Sequence, residues 1–294
     1  MPLRSHRFSL LLGLGLLLCG IPSLTLAQPP FRQYNSFEFD ANIQLPPDWE
    51  QPGDFITARL MYPSGGRFGR GRGGRGRGGF GGFGGGSWED GGTTWSVDYP
   101  DGDRIFARGL RRFTTLDVRS VEQAVNPDDA ESMGYFPFMV VGLPGYWQLT
   151  DEQVKNIRSY LLKGGFLFAD SFFGSEVWPP FVDGLKRIFP EYPVIDLDAS
   201  HPVFHTVYDI PPLNQTQIPN MNSLLRGGGG WLSDGQVPHW RGIVDEHGRL
   251  LVLIAFNNDV WDSLQWADDP RYPAERANLG LRLSVNIAVY ALTH

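Results

Sequence analysis

Two regimes of hydrophobic and polar positions alternate along this chain: unbroken apolar runs, and stretches with a helical period. Phe138-Met139-Val140-Val141-Gly142-Leu143 is apolar throughout, as expected of a strand buried on both faces. Phe55 to Tyr62 (ended by Pro63), Leu116 to Val121, Phe166 to Ala169 and Arg249 to Phe256 read as further strands. Helices fall between them. Asp101 and Asp103 are N-cap candidates for a helix through Arg112, with Ile105, Phe106, Leu110 and Phe113 at near-helical spacing. Thr150, followed three residues later by Gln153, forms a capping box. Val154, Ile157, Tyr160, Leu161 and Leu162 give that helix an apolar face, and Gly164-Gly165 ends it. Phe181 to Phe189 and Ala274 to Leu292 are two more helices. The last sets Asn278, Arg282 and Asn286 on one polar stripe and packs its other sides inward.

This alternation predicts an α/β fold, a three-layer sandwich whose mainly parallel sheet is covered on both faces. Ligand sites in such sheets lie at the carboxyl ends of the strands. The loops after Tyr62, Leu143 and Ala169 are therefore the ones to watch. Ahead of the first strand, residues 28–54 hold Pro29, Pro30, Pro46, Pro47 and Pro52 and read as an extended arm lying on the domain. Residues 55–294 read as a single α/β domain, interrupted at 64–87 by an Arg/Gly-rich insertion.

The first 27 residues read as an address. Arg4, His6 and Arg7 precede an apolar run from Leu10 to Leu18, and Thr25-Leu26-Ala27 offers a signal-peptidase site. The run is too short to span a bilayer comfortably, so the expectation is a cleaved signal peptide, export to the periplasm or beyond, and no stable membrane span afterwards. Cleavage would remove Cys19, the one cysteine of the chain, and with it any disulfide, Cys-based zinc site or thiol nucleophile.

Charge sharpens this picture. The formal net charge is −7, but Gly65 to Gly86 carries Arg67, Arg70, Arg72, Arg75 and Arg77 and no acid. Setting those five aside with the two leader arginines leaves 18 of 25 bases against 32 acids, a body near −14. An acidic body does not seek nucleic acid. The Gly-rich tract resembles Arg-Gly-Gly segments of RNA-binding proteins, but export argues against that role, and it is expected to be disordered and dispensable for folding.

Pro47-Asp48-Trp49, Ala58 to Tyr62, Trp95-Ser96-Val97-Asp98-Tyr99-Pro100 with Asp103, Tyr135-Phe136-Pro137, Leu161 to Phe166 with Asp170, Phe189-Pro190, His201-Pro202-Val203-Phe204 and the closing Leu283 to Leu292 follow one another in a set order. In that order they resemble the family catalogued as domain of unknown function 4159. The resemblance implies a flavodoxin-like domain similar to class I glutamine amidotransferases and to trehalose-utilisation proteins. Amidotransferases use a Cys nucleophile, which the mature chain lacks, so amidotransferase activity is not expected. In the trehalose-utilisation group the Gly-Gly strand commonly leads to a His, whereas here it leads to Asp170.

Several residues are candidates for chemistry. Asp170 and Ser171 follow a buried strand, where a functional group is held rigidly, although an Asp there also suits a turn. Ser171 lacks a Gly-x-Ser-x-Gly elbow. Asn257, Asn258, Asp259, Trp261 and Asp262 suit either a tight turn or a polyol site with Trp261 as a stacking face. Parallel-sheet geometry predicts that Asp170 shares a cleft with this turn, with His201 joining them. His201 and His205 are four apart near Asp196, Asp198 and Asp209, but Pro202 breaks a shared helical face, and no metal or other cofactor is assigned. The functional expectation is an envelope domain binding a small molecule, a carbohydrate or a protein partner. The alternative is a carbohydrate-acting hydrolase or related enzyme using Asp170.

Overall fold

A computed structural model describes residues 30–38, 43–64, 87–211 and 217–294. The expected leader at 1–27, and all of the 64–87 insertion except its end residues Ser64 and Ser87, lie outside the described residues.

The chain builds a seven-stranded sheet from β1 (Ala58–Leu60), β2 (Gln123–Val125), β3 (Phe138–Gly142), β4 (Phe166–Phe172), β5 (Val194–Asp196), β6 (His239–Val244) and β7 (Leu250–Phe256). Their order across the sheet is β2-β1-β3-β4-β7-β6-β5. From β2 to β7 all pairs are parallel, while β6 runs antiparallel to both β7 and β5. The sequence therefore indicates the parallel body, and the antiparallel β5–β6 pair is an addition to it. The order in which successive strands are laid down across the sheet reverses between β1 and β3, the topological switch point at which open α/β sheets hold ligands.

Alternation along the strands fills the two faces. In β3, Met139 and Val141 join one core while Phe138 and Val140 join the other; in β4, Leu167 and Ala169 oppose Phe166 and Phe168 in the same way. Helices α3 (Asp151–Leu162) and α4 (Trp178–Ile188) cover the first face through Ile157, Leu161, Phe181 and Leu185. Helices α1 (Asp101–Phe113), α6 (Val260–Gln265) and α7 (Ala274–Thr293) cover the second through Phe106, Leu110, Trp261 and Leu283. Short helices α2 (Ala130–Met133) and α5 (Met221–Leu225) complete the set. The result is a three-layer α/β sandwich of flavodoxin-like build.

Local expectations fared unevenly. The capping box at Thr150 is formed, with Gln153 N–H donating to Thr150 Oγ1 and Thr150 N–H to Gln153 Oε1. The strand expected at 116–121 lies instead at Gln123–Val125, because Arg119 folds back on the carbonyls of Val121 and Glu122; Val118 makes only an isolated bridge to Phe55. Pro100 stands at the N-cap of α1, and Asp103 turns inward to Arg59 rather than capping. Asn286 departs from the polar stripe: it is buried, and its side chain bonds the backbone of Val207 and Tyr208.

Candidate functional site

The carboxyl edge of the sheet concentrates backbone strain. Non-glycine residues at positive φ are Asp98 (54°), Leu143 (46°), Ser171 (63°) and Asn257 (60°), together with Ser233 (52°) farther along the chain. Leu143 and Asn257 directly follow β3 and β7, and Ser171 sits in the register slip between β4 and β7. Such conformations persist only where the surroundings over-determine them, and they gather at functional sites. The turn around Asp98 is pressed onto the switch point: a Cβ added at Gly142 would meet Val97 Cγ1 at 2.5 Å. Leu143, followed by a 3-10 turn at Pro144–Tyr146, occupies the kind of sharp strand-to-helix corner that holds the nucleophile in α/β hydrolases. A leucine there supplies no nucleophile.

Arg59 fastens this corner. It is fully buried in β1 and grips Asp103 with two hydrogen bonds of 3.0 and 2.9 Å, while its third nitrogen donates to Val97 O at 3.0 Å. Trp261 Nε1 donates to the same Asp103 at 2.8 Å, joining α6 to the pair.

Around that anchor lies a cluster of buried carboxylates. Asp98 is 1%, Asp170 0%, Asp259 3% and Asp262 2% exposed. Asp170 accepts from the backbone N–H groups of Val260 (3.1 Å) and Trp261 (2.8 Å), so it caps the first turn of α6. Ser171 Oγ donates to Asp98 Oδ2 at 2.9 Å and lies 3.4 Å from Asp170 Oδ2. Asp259 Oδ2 accepts from Asn220 Nδ2 at 2.8 Å, whereas its Oδ1 is buried without a hydrogen-bond partner. Asp262 accepts from Met221 N–H. Burial raises the Asp170 carboxyl to about 7 against the pull of the two amides. Asp98, Asp259 and Asp262 stand well above the usual carboxylate range, through burial first and then neighbouring acid charge, that of Asp259 on Asp98 and Asp262 and that of Asp170 on Asp259.

The described part of the N-terminal arm covers the cluster. Phe37 N–H donates to Ser96 O at 3.1 Å, and Tyr34 packs edge-on against Trp95. Glu38 turns its carboxylate inward, where Gln265 Nε2 (3.0 Å) and Asp98 N–H (3.4 Å) both donate to its Oε2.

The residues singled out from sequence are thus only partly assembled. Asp170, Ser171, Asp259 and Asp262 converge, and Asp170 meets the 260–261 backbone directly. Trp261 is no stacking face: it is 1% exposed and packs among Phe106, Phe138 and Phe168. Asn257 and Asn258 tie loops, accepting from Gly174 N–H and Ile218 N–H respectively. His201 sits elsewhere, against Tyr290, whose ring touches Phe166 at the amino end of β4. His205 pairs with Asp209, Asp196 with Arg241, and Asp198 with Ser200. Among the described residues no group of three or more His, Cys, Asp or Glu side chains is arranged to hold a metal ion. No helix among them is long and apolar enough to cross a membrane.

Nothing local marks Glu38 and Gln265, whose contact joins positions 227 residues apart, and Asp98 is visible in sequence only as part of the Trp95 to Pro100 segment, not as a site residue. An open groove of about 810 Å³ lies elsewhere, between α4 and β5–β6, lined by Trp178, Tyr192, Lys186 and Arg241 among others.

A family model described as domain of unknown function (DUF4159) matches residues 87–292. No curated protein matches the chain.

Proposed function

The chain belongs to the DUF4159 family, and from that premise we propose that it is an exported, ligand-binding domain of the cell envelope that takes a sugar or other polyol at the carboxyl edge of its sheet. One observation carries this reading. Two donors, Gln265 Nε2 and Asp98 N–H, converge on a single oxygen of Glu38, so the arm fills a seat shaped for an acceptor oxygen. Beneath the arm, Asp98 and Asp262 can accept from hydroxyls. Glutamine amidotransferase chemistry, which uses a Cys nucleophile, is not part of this reading, because the one cysteine of the chain, Cys19, lies in the expected leader. The basic, apolar and small-residue segments of the first 27 residues support export.

The test is a panel of sugars and cell-wall fragments, read by thermal shift on the full mature chain at pH 5 and pH 8. A hit should weaken at least tenfold in Gln265→Ala, roughly the loss of one charge-assisted or well-placed hydrogen bond. A panel without a single shift at either pH rejects the reading.

A second reading, a carbohydrate-acting enzyme, draws on Asp170. Its carboxyl is raised to about 7, and Ser171 in its left-handed conformation bridges toward Asp98. A carboxyl near neutrality suits general acid–base work. Turnover of chromogenic glycosides that vanishes in Asp170→Asn would favour it over simple binding.

A further inference from the structure

The arm over the acidic cluster is fastened by two kinds of contact. The first kind involves no carboxyl. Tyr34 N–H donates to Tyr99 Oη (3.1 Å), Gly92 N–H to Asn35 O (2.7 Å) and Phe37 N–H to Ser96 O (3.1 Å), while Arg104 Nη2 donates to Gln33 Oε1 (2.8 Å). The second kind is Glu38, whose carboxylate enters a region already crowded with acids.

Each element packed there contributes. β1 offers Arg59, but that guanidinium is already held by Asp103 of α1. The turn before α1 contributes Asp98, and the first turn of α1 contributes Asp101. The lead-in to α6 and α6 itself contribute Asp259 and Asp262, beside the neutral Gln265. Asp170 stands behind Asp259. The phenols of Tyr99 and Tyr272 are raised by burial and stay neutral. Arg104 and Arg108 of α1 face Asp101, and Arg104 is itself paired with Glu122. With all of these acids ionised, like charges face one another out of water around Asp98, Asp259 and Asp262, where Arg59 is already paired.

We propose that residues 33–38 form a proton-latched strap, seated while the Glu38 carboxyl and its acidic neighbours retain protons and lifted as they ionise. Lifting would free Gln265 and Asp98 N–H and uncover the acidic cluster. What then enters rests on the carbohydrate reading above, whereas the latch itself does not.

The direction follows from linkage. Burial holds docked Glu38 above the ordinary glutamate range, and burial with neighbouring charge, Glu38's included, does the same more strongly for Asp98 and Asp262. A carboxyl raised on docking favours the docked state fully below its free value, and this advantage is lost as pH rises through the docked value. The strap is therefore closed in acid and released toward alkaline pH.

Amide hydrogen exchange of the full chain, expressed as protection relative to an unstructured peptide at each pH, tests this between pH 4.5 and 8.5. Peptides covering Tyr34 and Phe37 should lose protection with rising pH, by up to about tenfold per pH unit for each linked proton. Glu38→Gln keeps an acceptor oxygen for Gln265 and Asp98 N–H but cannot ionise, so it should stay protected at pH 8. Amides of β7 report that the fold is intact throughout. Protection of the wild-type strap that does not change with pH would overturn the latch, as would loss in Glu38→Gln in step with the wild type. Sugar binding at pH 8 is measured separately on the same proteins, and its absence would bear on the ligand reading alone.

Discussion

Arg59 and Asp103 face each other fully buried, 44 residues apart in sequence, through two parallel hydrogen bonds. The pair sits under the 94–98 turn and against Trp261, so it couples β1, α1 and α6 at the point where the acidic cluster begins. Burying such a pair gains little net stability over an apolar replacement, but removing one partner strands a charge. The guanidinium also offsets the field of Asp98, which lies among its charged neighbours.

Arg59→Met should therefore lower stability by about 3–5 kcal/mol, since Asp103 is left buried and unpaired. Urea denaturation gives the figure. The double variant Arg59→Met with Asp103→Leu should recover part of the loss; a double variant no better than the single one would mean that the bond from Trp261 or the contact with Val97, rather than the stranded charge, sets the cost.

Asn286 yields a prediction at the opposite side of the α7 layer. Its Oδ1 accepts from the N–H groups of Val207 (3.0 Å) and Tyr208 (2.8 Å), and its Nδ2 donates to Tyr208 O (2.7 Å). Asn286→Ala should cost about 1–3 kcal/mol for each backbone group that water cannot reach. Hydrogen exchange should rise at 207–208 before it rises in the sheet.

These positions show where sequence reading succeeds and where it stops. Unbroken runs such as Phe138 to Gly142 mark buried strands because both faces of the sheet are covered, and the Thr150–Gln153 box marks a helix start because its bonds are local. The meeting of Asp170 with residues 260–261 follows from parallel strands ending on one edge. Other features depend on partners distant in sequence. β5 and β6 were hidden in a turn-rich stretch because β5 is short, with exposed Ile195 and Asp196, and Gly242 interrupts β6. Asp103 looked like a cap because its real partner, Arg59, lies on another element. Glu38 carries no local signal; only the folded arm brings it to Asp98.

Export is checked at the N-terminus. Processing after Ala27 should leave Gln28, or its cyclised form, as the first residue in mass spectrometry of the native protein. An intact Met1 in a membrane fraction would instead mean that the apolar run from Leu10 to Leu18 is retained as an anchor.

The pH dependence of stability tests the cluster as a whole. Asp170 is raised from the ordinary aspartate range to about 7, chiefly by burial, and Asp98, Asp259 and Asp262 are raised in the same direction. The native state therefore holds protons that the unfolded chain has released. Below the ordinary aspartate value both states are protonated and this contribution is fully present. It diminishes as pH rises and, for Asp170, is lost by the time pH has passed about 7. The melting temperature should accordingly fall between pH 5 and pH 8, opposite to the behaviour of a protein stabilised by ionised carboxylates. Asp170→Asn removes one titrating group but also turns an amide toward the N–H of Val260 or Trp261, one of which loses its acceptor. It should lower stability at pH 5 by about 1–2 kcal/mol, the usual cost of a lost helix cap. At pH 8 the difference from wild type should shrink or reverse, because the variant no longer has a buried charge to ionise. Parallel melting curves for the two proteins across the range, with no narrowing of the gap, would show that Asp170 does not titrate in this interval.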